Sequence, residues 1–162
     1  HPNCITASPM ILAGSPAGAY NAVQLVADQS YLASVGMSAN DIAGIIGLSG
    51  PYDFYPYDVK ATRIAFGDTP AAQSQPVEQD LFHMPPMLLI TGNRDHTVYP
   101  RNSRRLAELA PDTKLIEIAD TGHAGTLIAL GSILTENREI LAPMSKFLTK
   151  HLPAPTKRTD AY

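Results

Sequence analysis

The chain has 162 residues, of which 44% are hydrophobic, which is enough for one buried core but too little for two domains of ordinary size. Its 11 glycines and 14 prolines are too few and too irregularly spaced for a collagen-like or low-complexity protein. The formal net charge is -3 and like charges do not cluster, so nothing in the sequence indicates binding to nucleic acid or to an anionic membrane. We therefore expect a small, uncharged partner.

The chain contains a single cysteine, Cys4, which excludes an internal disulfide. It has no Cys-x-x-Cys pair and no cluster of cysteine and histidine, so we expect no structural zinc site. Chains without disulfides occur in every compartment. The localisation is therefore open at this point, with the cytoplasm favoured.

Residues 1–27 carry no charged side chain, a property shared by signal peptides and membrane spans. A signal peptide needs Lys or Arg before its apolar segment, and a membrane-spanning helix needs about 20 mostly apolar residues. Turn-forming or helix-breaking residues interrupt this stretch at Pro2, Pro9, Gly14, Pro16, Gly18 and Asn21. We therefore expect short, separate elements here and no membrane association.

Four short apolar runs, bounded mainly by proline and glycine, predict buried β-strands. They cover residues 10–14, 42–48, 87–91 and 114–118. Helical periodicity occupies the segments between and after them, at 17–35, 59–66, 100–110, 124–133 and 137–151. Strands that alternate with helices predict parallel βαβ units, and hence an α/β fold with a mostly parallel, doubly wound sheet and helices on both faces.

Residues suited to acid–base chemistry follow the third and fourth predicted strands. In a parallel sheet of this type, functional side chains lie in loops at the carboxyl ends of the strands. Asp95 follows the third strand and His123 follows the fourth. A lone aspartate in a turn, or a lone histidine in a surface loop, is commonplace. Their occurrence after successive strands favours a functional role over chance.

Five motifs occur in order along nearly the whole chain. They are Ile11-Leu12-Ala13-Gly14 with Gly18-Ala19-Tyr20-Asn21-Ala22, Gly47-Leu48-Ser49-Gly50-Pro51-Tyr52-Asp53-Phe54, Phe66-Gly67 with Ser74-Gln75-Pro76, Pro85-Pro86-Met87-Leu88-Leu89-Ile90-Thr91-Gly92, and Asp95 and Val98 with Gly122-His123. In this order the motifs resemble the α/β-hydrolase family, particularly its carboxylesterase and formamidase-like members. The resemblance implies a partial α/β-hydrolase fold.

The resemblance also implies a carboxylic-ester hydrolase that acts by acyl transfer through a Ser-His-Asp triad, without metal or cofactor. Asp95 would be the triad acid and His123 the general base. The backbone N–H of Ala17, directly after the nucleophile position, would donate to the oxyanion. The substrate would be a small, uncharged ester or amide.

An aromatic segment follows the second predicted strand and adds candidates for substrate binding. Tyr52, Phe54 and Tyr55 would line an acyl or aromatic pocket near the predicted site. The alternative is that these rings cover the end of the sheet as ordinary packing.

The chain departs from the family pattern at the nucleophile. Gly14 and Gly18 align with the glycines of the nucleophile elbow, and this places Pro16 where a serine is expected. Proline has no hydroxyl, and its ring fixes φ near −65°, whereas the resemblance implies a positive φ for the elbow residue. We therefore expect an altered turn and impaired catalysis. Ser15 could replace the nucleophile only if the turn were rebuilt by one residue.

A second departure concerns length. Only fifteen residues precede Pro16, too few for the upstream loop that supplies a second oxyanion donor in the family. The chain also opens on His1 directly before a predicted strand, so we expect the C-terminal portion of a hydrolase. Residues 1–152 would form a single domain without its N-terminal strands, and residues 153–162 a C-terminal tail. The exposed edge of the strand at 10–14 would then favour self-association.

Two alternatives to ester hydrolysis are open. Other members of the fold cleave amides or formamides with the same residues, and the Gly18–Ala22 motif resembles both groups. The second alternative is a non-catalytic binding module, in which the hydrolase fold keeps a pocket and an interaction surface. A genuine Pro16 favours the binding module, whereas a serine at this position and strands encoded upstream would favour the enzyme.

Overall fold

A computed structural model describes residues 9–131 and 138–153 of the chain. Four strands form one sheet: β1 (Met10–Gly14), β2 (Ile42–Leu48), β3 (Met87–Gly92) and β4 (Thr113–Ile118). Their order across the sheet is β1-β2-β3-β4, and every neighbouring pair is parallel. The predicted strands and the predicted parallel α/β sheet are therefore confirmed.

Helices connect and flank the strands. They are α1 (Ala17–Ala27), α2 (Gln29–Ala33), α3 (Lys60–Phe66), α4 (Ala71–Ser74), α5 (Arg101–Leu109), α6 (His123–Gly131) and α7 (Arg138–His151). The single helical segment predicted over 17–35 is wrong, because it is broken at Asp28. The Asp28 carboxylate accepts the backbone N–H of Ser30 at 3.0 Å and so caps a new helix, α2.

One face of the sheet is covered by α1, α2 and α5. Val23, Leu32 and Leu106 project from these helices onto Ile45 and Leu89 of the central strands, and all five side chains are buried. The opposite face is covered by α7, whose Ile140 and Phe147 pack on the other side of the same strands. Both faces of β2 and β3 are thus buried, which explains why these strands are continuous apolar runs rather than alternating patterns.

The two outer strands are less enclosed than the central pair. β1 pairs with β2 alone among the strands of the described residues, and its Met10 and Ala13 are exposed. The predicted C-terminal tail begins at residue 153. Residues 154–162 of this tail lie outside the described part of the chain, as do residues 132–137. Of the helices that the structure describes, none is long and apolar enough to cross a membrane.

Candidate active site

The predicted acid, base and nucleophile position lie at one edge of the sheet, in the segments that follow three of its strands. Pro16 follows β1, Asp95 follows β3 and His123 follows β4. Because all four strands are parallel, these segments share the carboxyl edge, where α/β folds place their functional residues.

Asp95 is held in one orientation by its own loop and contacts His123. One carboxylate oxygen, Oδ1, accepts the backbone N–H groups of Thr97 at 2.9 Å and Val98 at 2.8 Å. The other, Oδ2, lies 2.7 Å from Nδ1 of His123. The Asp95 side chain is fully buried. The structure therefore brings together the two residues that the sequence assigns to acid and base.

This contact determines the tautomer of His123. The two hydrogen bonds to Oδ1 and the proximity to Oδ2 mark the Asp95 carboxylate as an acceptor, so Nδ1 of His123 carries the proton and donates it. Nε2 is then left as the nitrogen that can take a proton from another group. The side chain of His123 is 28% exposed, so the ring is open to solvent on one side. In this arrangement the carboxylate holds the ring while Nε2 can accept a proton, which is the geometry that general-base chemistry requires.

Backbone hydrogen bonds join the acid loop to the base loop. The N–H of Asn93 donates to the carbonyl of Ile118, and the N–H of Arg94 donates to that of Thr121, both at 3.0 Å. Gly92 lies so close to Thr121 that a Cβ at this position would collide with the Thr121 carbonyl. The close approach of the two loops therefore requires glycine at position 92.

Pro16 forms a helical turn in place of the elbow. Its angles are φ -46° and ψ -54°, in the right-handed helical region, and it precedes the first residue of α1. The N–H of Gly18 already donates to the carbonyl of Ser15 at 2.8 Å. A Cβ on Gly14 would collide with the Gly18 backbone, so strand and helix pack closely here. The turn is altered as the sequence predicts, with no positive φ at Pro16.

Ser15 and Ala17 flank this turn in different surroundings. Ser15 is partly buried and lines an apolar groove beside β1 on the α7 face; the other lining residues are Ala13, Gly14, Ile46, Leu48 and Met144. Within residues 9–131 and 138–153, no hydrogen bond joins Ser15 to His123. Ala17 is exposed at the first position of α1, where an N–H has no intrahelical acceptor. The roles of nucleophile substitute and oxyanion donor stay predictions.

Tyr52 does not line a pocket, although the sequence placed it among the candidates for substrate binding. Its side chain is 0% exposed and belongs to the core on the α1 face of the sheet, where it packs over Gly47 and Gly50. The predicted substrate contact does not fit this position, because no surface of the ring is accessible. The alternative given above, ordinary packing at the end of the sheet, describes Tyr52.

Phe54 and Tyr55 belong to a cluster of aromatic rings beside α1. The Phe54 ring lies 5.6 Å from that of Tyr20 and 5.2 Å from that of Phe66. Tyr55 packs edge-on against Tyr57 and is 52% exposed. Tyr20 follows Pro16 by one helical turn, so the cluster flanks the first turns of α1. Phe54 and Tyr55 thus stay candidates for substrate contact.

Two polar residues hold the segment after β2: Asn102, which the sequence did not single out, and Gln75, which belongs to one of the five motifs but was given no role. The Asn102 side-chain oxygen accepts the N–H groups of Tyr52 at 2.9 Å and Asp53 at 2.8 Å. The Gln75 oxygen accepts the N–H of Phe54 at 2.7 Å. Asn102 is four residues before the buried Leu106 in α5, and this spacing was the available signal, because it places an amide on the buried face of the helix.

Comparisons with known proteins show the fold of the chain. No family model matches it, and no curated protein matches it. Among solved structures, an esterase of the bacterial hormone-sensitive lipase family matches with a TM-score of 0.69 and 22% identity, over 91% of this chain and 55% of that protein. Esterase 2 of Thermogutta terrifontis, solved as its tabun adduct, matches with a TM-score of 0.66 and 17% identity, over 90% of this chain and 56% of the esterase.

A monoacylglycerol lipase of Paleococcus ferrophilus matches with a TM-score of 0.62 and 14% identity, over 90% of this chain and 70% of the lipase. These identities show the fold alone, and that fold is the esterase-like α/β-hydrolase fold that the motifs indicated. The chain spans little more than half of the length of the two esterases.

Proposed function

We propose that the chain carries the acid–base pair of a carboxylic-ester hydrolase of the α/β-hydrolase type, with Pro16 at the nucleophile position. The observation that carries the proposal is the 2.7 Å contact between Nδ1 of His123 and the buried carboxylate of Asp95, at the carboxyl edge of a parallel sheet. The esterases and the lipase that share the fold support an ester as the substrate class.

The proposed chemistry is acyl transfer in two steps. In the first step, Nε2 of His123 takes the proton of a serine hydroxyl as its oxygen attacks the ester carbonyl, and then returns that proton to the leaving alcohol. In the second step, the same nitrogen takes a proton from water as the water oxygen attacks the acyl carbon, and returns it to the serine oxygen as the acyl–serine bond breaks and the acid leaves. Asp95 keeps the proton on Nδ1 throughout, and the N–H of Ala17 donates to the oxyanion.

Pro16 interrupts this sequence at its first proton transfer. It offers no hydroxyl to His123, and its helical φ of -46° differs from the positive φ of an elbow residue. The proposal is therefore an ester hydrolase whose catalysis is impaired in this chain. The aromatic rings of Phe54 and Tyr55 would contact the acyl or alcohol group of a small, uncharged substrate.

Pro16 also supports a second candidate function, a non-catalytic binding module. A proline that begins α1 in helical geometry stabilises the turn without contributing chemistry. In such a module Nε2 of His123, the ring nitrogen that does not contact Asp95, would form a hydrogen bond with a bound molecule. An amide or formamide hydrolase is a third outcome, which a substrate panel separates from ester hydrolysis.

The test compares four proteins in hydrolysis of short-chain nitrophenyl esters and of the matching anilides. They are the chain itself, its Pro16→Ser variant, and both sequences fused to the part of the bacterial hormone-sensitive-lipase-family esterase that this chain does not match. We expect turnover in the Pro16→Ser fusion alone, because the nucleophile and the remaining oxyanion donor are then both supplied. Removing an oxyanion donor costs about 10²–10³ in rate, so the Pro16→Ser chain by itself should stay inactive.

Two controls decide the result. Pro16→Ala in the same fusion frees the backbone without supplying a hydroxyl and should stay inactive. His123→Ala in the Pro16→Ser fusion should abolish turnover. A folded Pro16→Ser fusion that hydrolyses neither ester nor anilide would exclude the hydrolase in favour of the binding module, and preferential anilide cleavage would replace the ester assignment with an amide one.

A further inference from the structure

Ser49 has an unusual conformation directly after β2. Its φ is 48°, in the left-handed region that residues other than glycine rarely adopt, and it is 1% exposed. Its N–H donates to the carbonyl of Ile90 at 2.9 Å, so its backbone continues the pairing between β2 and β3. Backbone strain of this kind persists where the surroundings enforce it and is frequent at functional sites.

The Ser49 hydroxyl points to α6. Its Oγ lies 3.0 Å from Oγ1 of Thr126, which is also 1% exposed. Thr126 lies one turn after His123, and its Oγ1 is 3.1 Å from the His123 carbonyl oxygen. A serine held in left-handed geometry after a strand resembles a nucleophile elbow, but this hydroxyl is buried and bonded to threonine, out of reach of an ester.

The number of hydroxyl protons determines which group donates in the two hydrogen bonds that link Ser49, Thr126 and the His123 carbonyl. The carbonyl oxygen of His123 can only accept, so the single hydroxyl proton of Thr126 is donated to it. Oγ1 of Thr126 is then free only to accept, and the Ser49 hydroxyl is the donor. The bonds therefore run from Ser49 through Thr126 to the main chain of His123.

The hydroxyl chain and the acid hold different parts of His123. Asp95, which follows β3, orients the imidazole ring through Nδ1. Ser49, which follows β2, fixes the first turn of α6 through the His123 carbonyl. Because the ring can keep its direction only if the backbone that bears it is fixed, both restraints are needed to place Nε2.

We propose that Ser49 and Thr126 are positioning residues for His123, acting through the hydroxyl chain that ends on its carbonyl. The inference rests on the proposed function, since it assumes that the orientation of His123 serves acid–base chemistry. The competing explanation is purely structural: the two buried hydroxyls satisfy each other and stabilise the fold without any specific effect on His123.

The test follows the proton on Nδ1 of His123 by NMR of the full chain labelled with ¹⁵N-histidine, with the resonance assigned by its loss in His123→Ala. Thr126→Val removes the hydroxyl at nearly constant shape, and Ser49→Gly removes it while suiting the positive φ. Thr126→Ser keeps the hydroxyl. Ser74→Ala is the matched control, because the Ser74 hydroxyl is also buried and hydrogen-bonded, to Tyr57, Pro70 and Gln75.

We expect the Nδ1 proton to exchange with water about tenfold faster in Thr126→Val and in Ser49→Gly, as loss of one buried hydrogen bond predicts. Thr126→Ser should match the unmodified chain, and Ser74→Ala should not accelerate exchange even where its melting temperature falls as much. Unchanged exchange in Thr126→Val and Ser49→Gly, or equal acceleration in Ser74→Ala, would overturn the positioning role. A neutral His123 with its proton on Nε2 instead of Nδ1 in the unmodified chain, identified from the two ring ¹⁵N shifts, would instead refute the Asp95–His123 pair, and with it the proposed function.

Discussion

At the residue scale, Tyr52 packs its ring closely against the backbone and buries its hydroxyl without a hydrogen-bond partner among the described residues. Its ring fills the space that side chains on Gly47 and Gly50 would otherwise occupy. The phenol oxygen is buried and has no hydrogen-bond partner among the described residues. Burial raises the pKa of the Tyr52 phenol far above its ordinary value, because the ionised form would be desolvated.

We expect Tyr52→Phe to keep or increase the stability of the chain, by up to about 1 kcal/mol. The substitution keeps the buried ring and removes a hydroxyl whose desolvation nothing offsets. Tyr57→Phe is the matched control, because the Tyr57 hydroxyl donates to the Thr69 carbonyl at 2.8 Å and its loss should cost about 1 kcal/mol. Urea unfolding of the three proteins checks this. A clear loss of stability in Tyr52→Phe would show that the hydroxyl has a partner.

The sequence predicted the position or the conformation of a residue where its side chain leaves few alternatives. Asp95 and His123 were singled out because both follow predicted parallel strands and because the motifs around them resemble the α/β-hydrolase family, and proline at position 16 restricts its own φ. Tyr52 was assigned wrongly because an aromatic residue in a loop after a strand can turn toward solvent or into the core. The choice depends on Gly47 and Gly50, which leave space for the ring only once β2 is folded.

At the scale of elements, the contact between acid and base depends on how closely two loops approach. Backbone hydrogen bonds join Asn93 and Arg94 to the segment after β4. Apolar periodicity in the sequence predicted the strands that bear these loops, because strands buried on both faces are apolar throughout. It missed the break between α1 and α2, because Asp28 ends one helix and caps the next without interrupting the hydrophobic spacing. No pattern in the sequence predicted how closely the loop after β3 approaches the segment after β4.

Gly92→Ala should separate the acid from the base. The added methyl group would meet the Thr121 carbonyl, so one loop must move, and we expect a loss of at least about 1–3 kcal/mol together with a weaker Asp95–His123 contact. Gly122→Ala is the control, because a Cβ there has its nearest neighbour, the Arg94 carbonyl oxygen, at 3.7 Å. Thermal melting and the His123 Nδ1 proton resonance report the two effects. Equal behaviour of the two variants would contradict this explanation.

An ion pair joins α5 to β4 and should give the stability a dependence on pH. Arg104 donates two hydrogen bonds to the Glu117 carboxylate, at 2.7 and 2.6 Å, and these hold the pKa of Glu117 below its usual value. A carboxylate whose pKa is lower in the folded state stabilises that state above its unfolded pKa of about 4.3, and this stabilisation is lost as pH falls through the folded value.

We therefore expect Arg104→Gln to lower the free energy of unfolding at pH 7 by less than about 1 kcal/mol, because Arg104 is half exposed and solvent screens the pair. Near pH 3 the difference from the unmodified chain should be smaller. Arg105→Gln is the control, since its pair with Glu108 is longer, at 3.5 Å, and exposed on both sides. Urea unfolding at the two pH values measures both, and a loss of the same size at pH 3 as at pH 7 would refute the linkage.

At the scale of the whole molecule, the sheet is enclosed at its centre, and within the described residues no strand pairs with the outer edge of β1. β1 lies at the end of the strand order β1-β2-β3-β4. Beside it runs the apolar groove that Ile46, Leu48 and Met144 help to line. Unpaired strand edges next to apolar surface are sites of association between chains. The parallel direction of the strands was predictable because strands alternate with helices along the sequence. The exposure of the β1 edge was harder to predict, because it depends on which strands lie beside β1.

We expect the chain to form dimers or aggregates through β1. Ala13→Lys adds a charge to the exposed side of this strand and should shift the population toward monomer. Ala61→Lys, on the exposed surface of α3, adds the same charge elsewhere and should leave association unchanged. Light scattering at tens of micromolar distinguishes them. A monodisperse monomer that melts cooperatively, without any substitution, would refute association through this edge.

In the proposed function, Asp95 and His123 form an acid–base pair without a nucleophile. The decisive test measures hydrolysis of a short-chain nitrophenyl ester by the unmodified chain and by its His123→Ala variant. Loss of the nucleophile costs on the order of 10⁶ in turnover, so we expect the two proteins to show the same background rate and an organophosphate to label neither. Substantial turnover that disappears in His123→Ala and is blocked by the organophosphate would contradict the assignment of Pro16. Ser15 or another residue would then be the nucleophile.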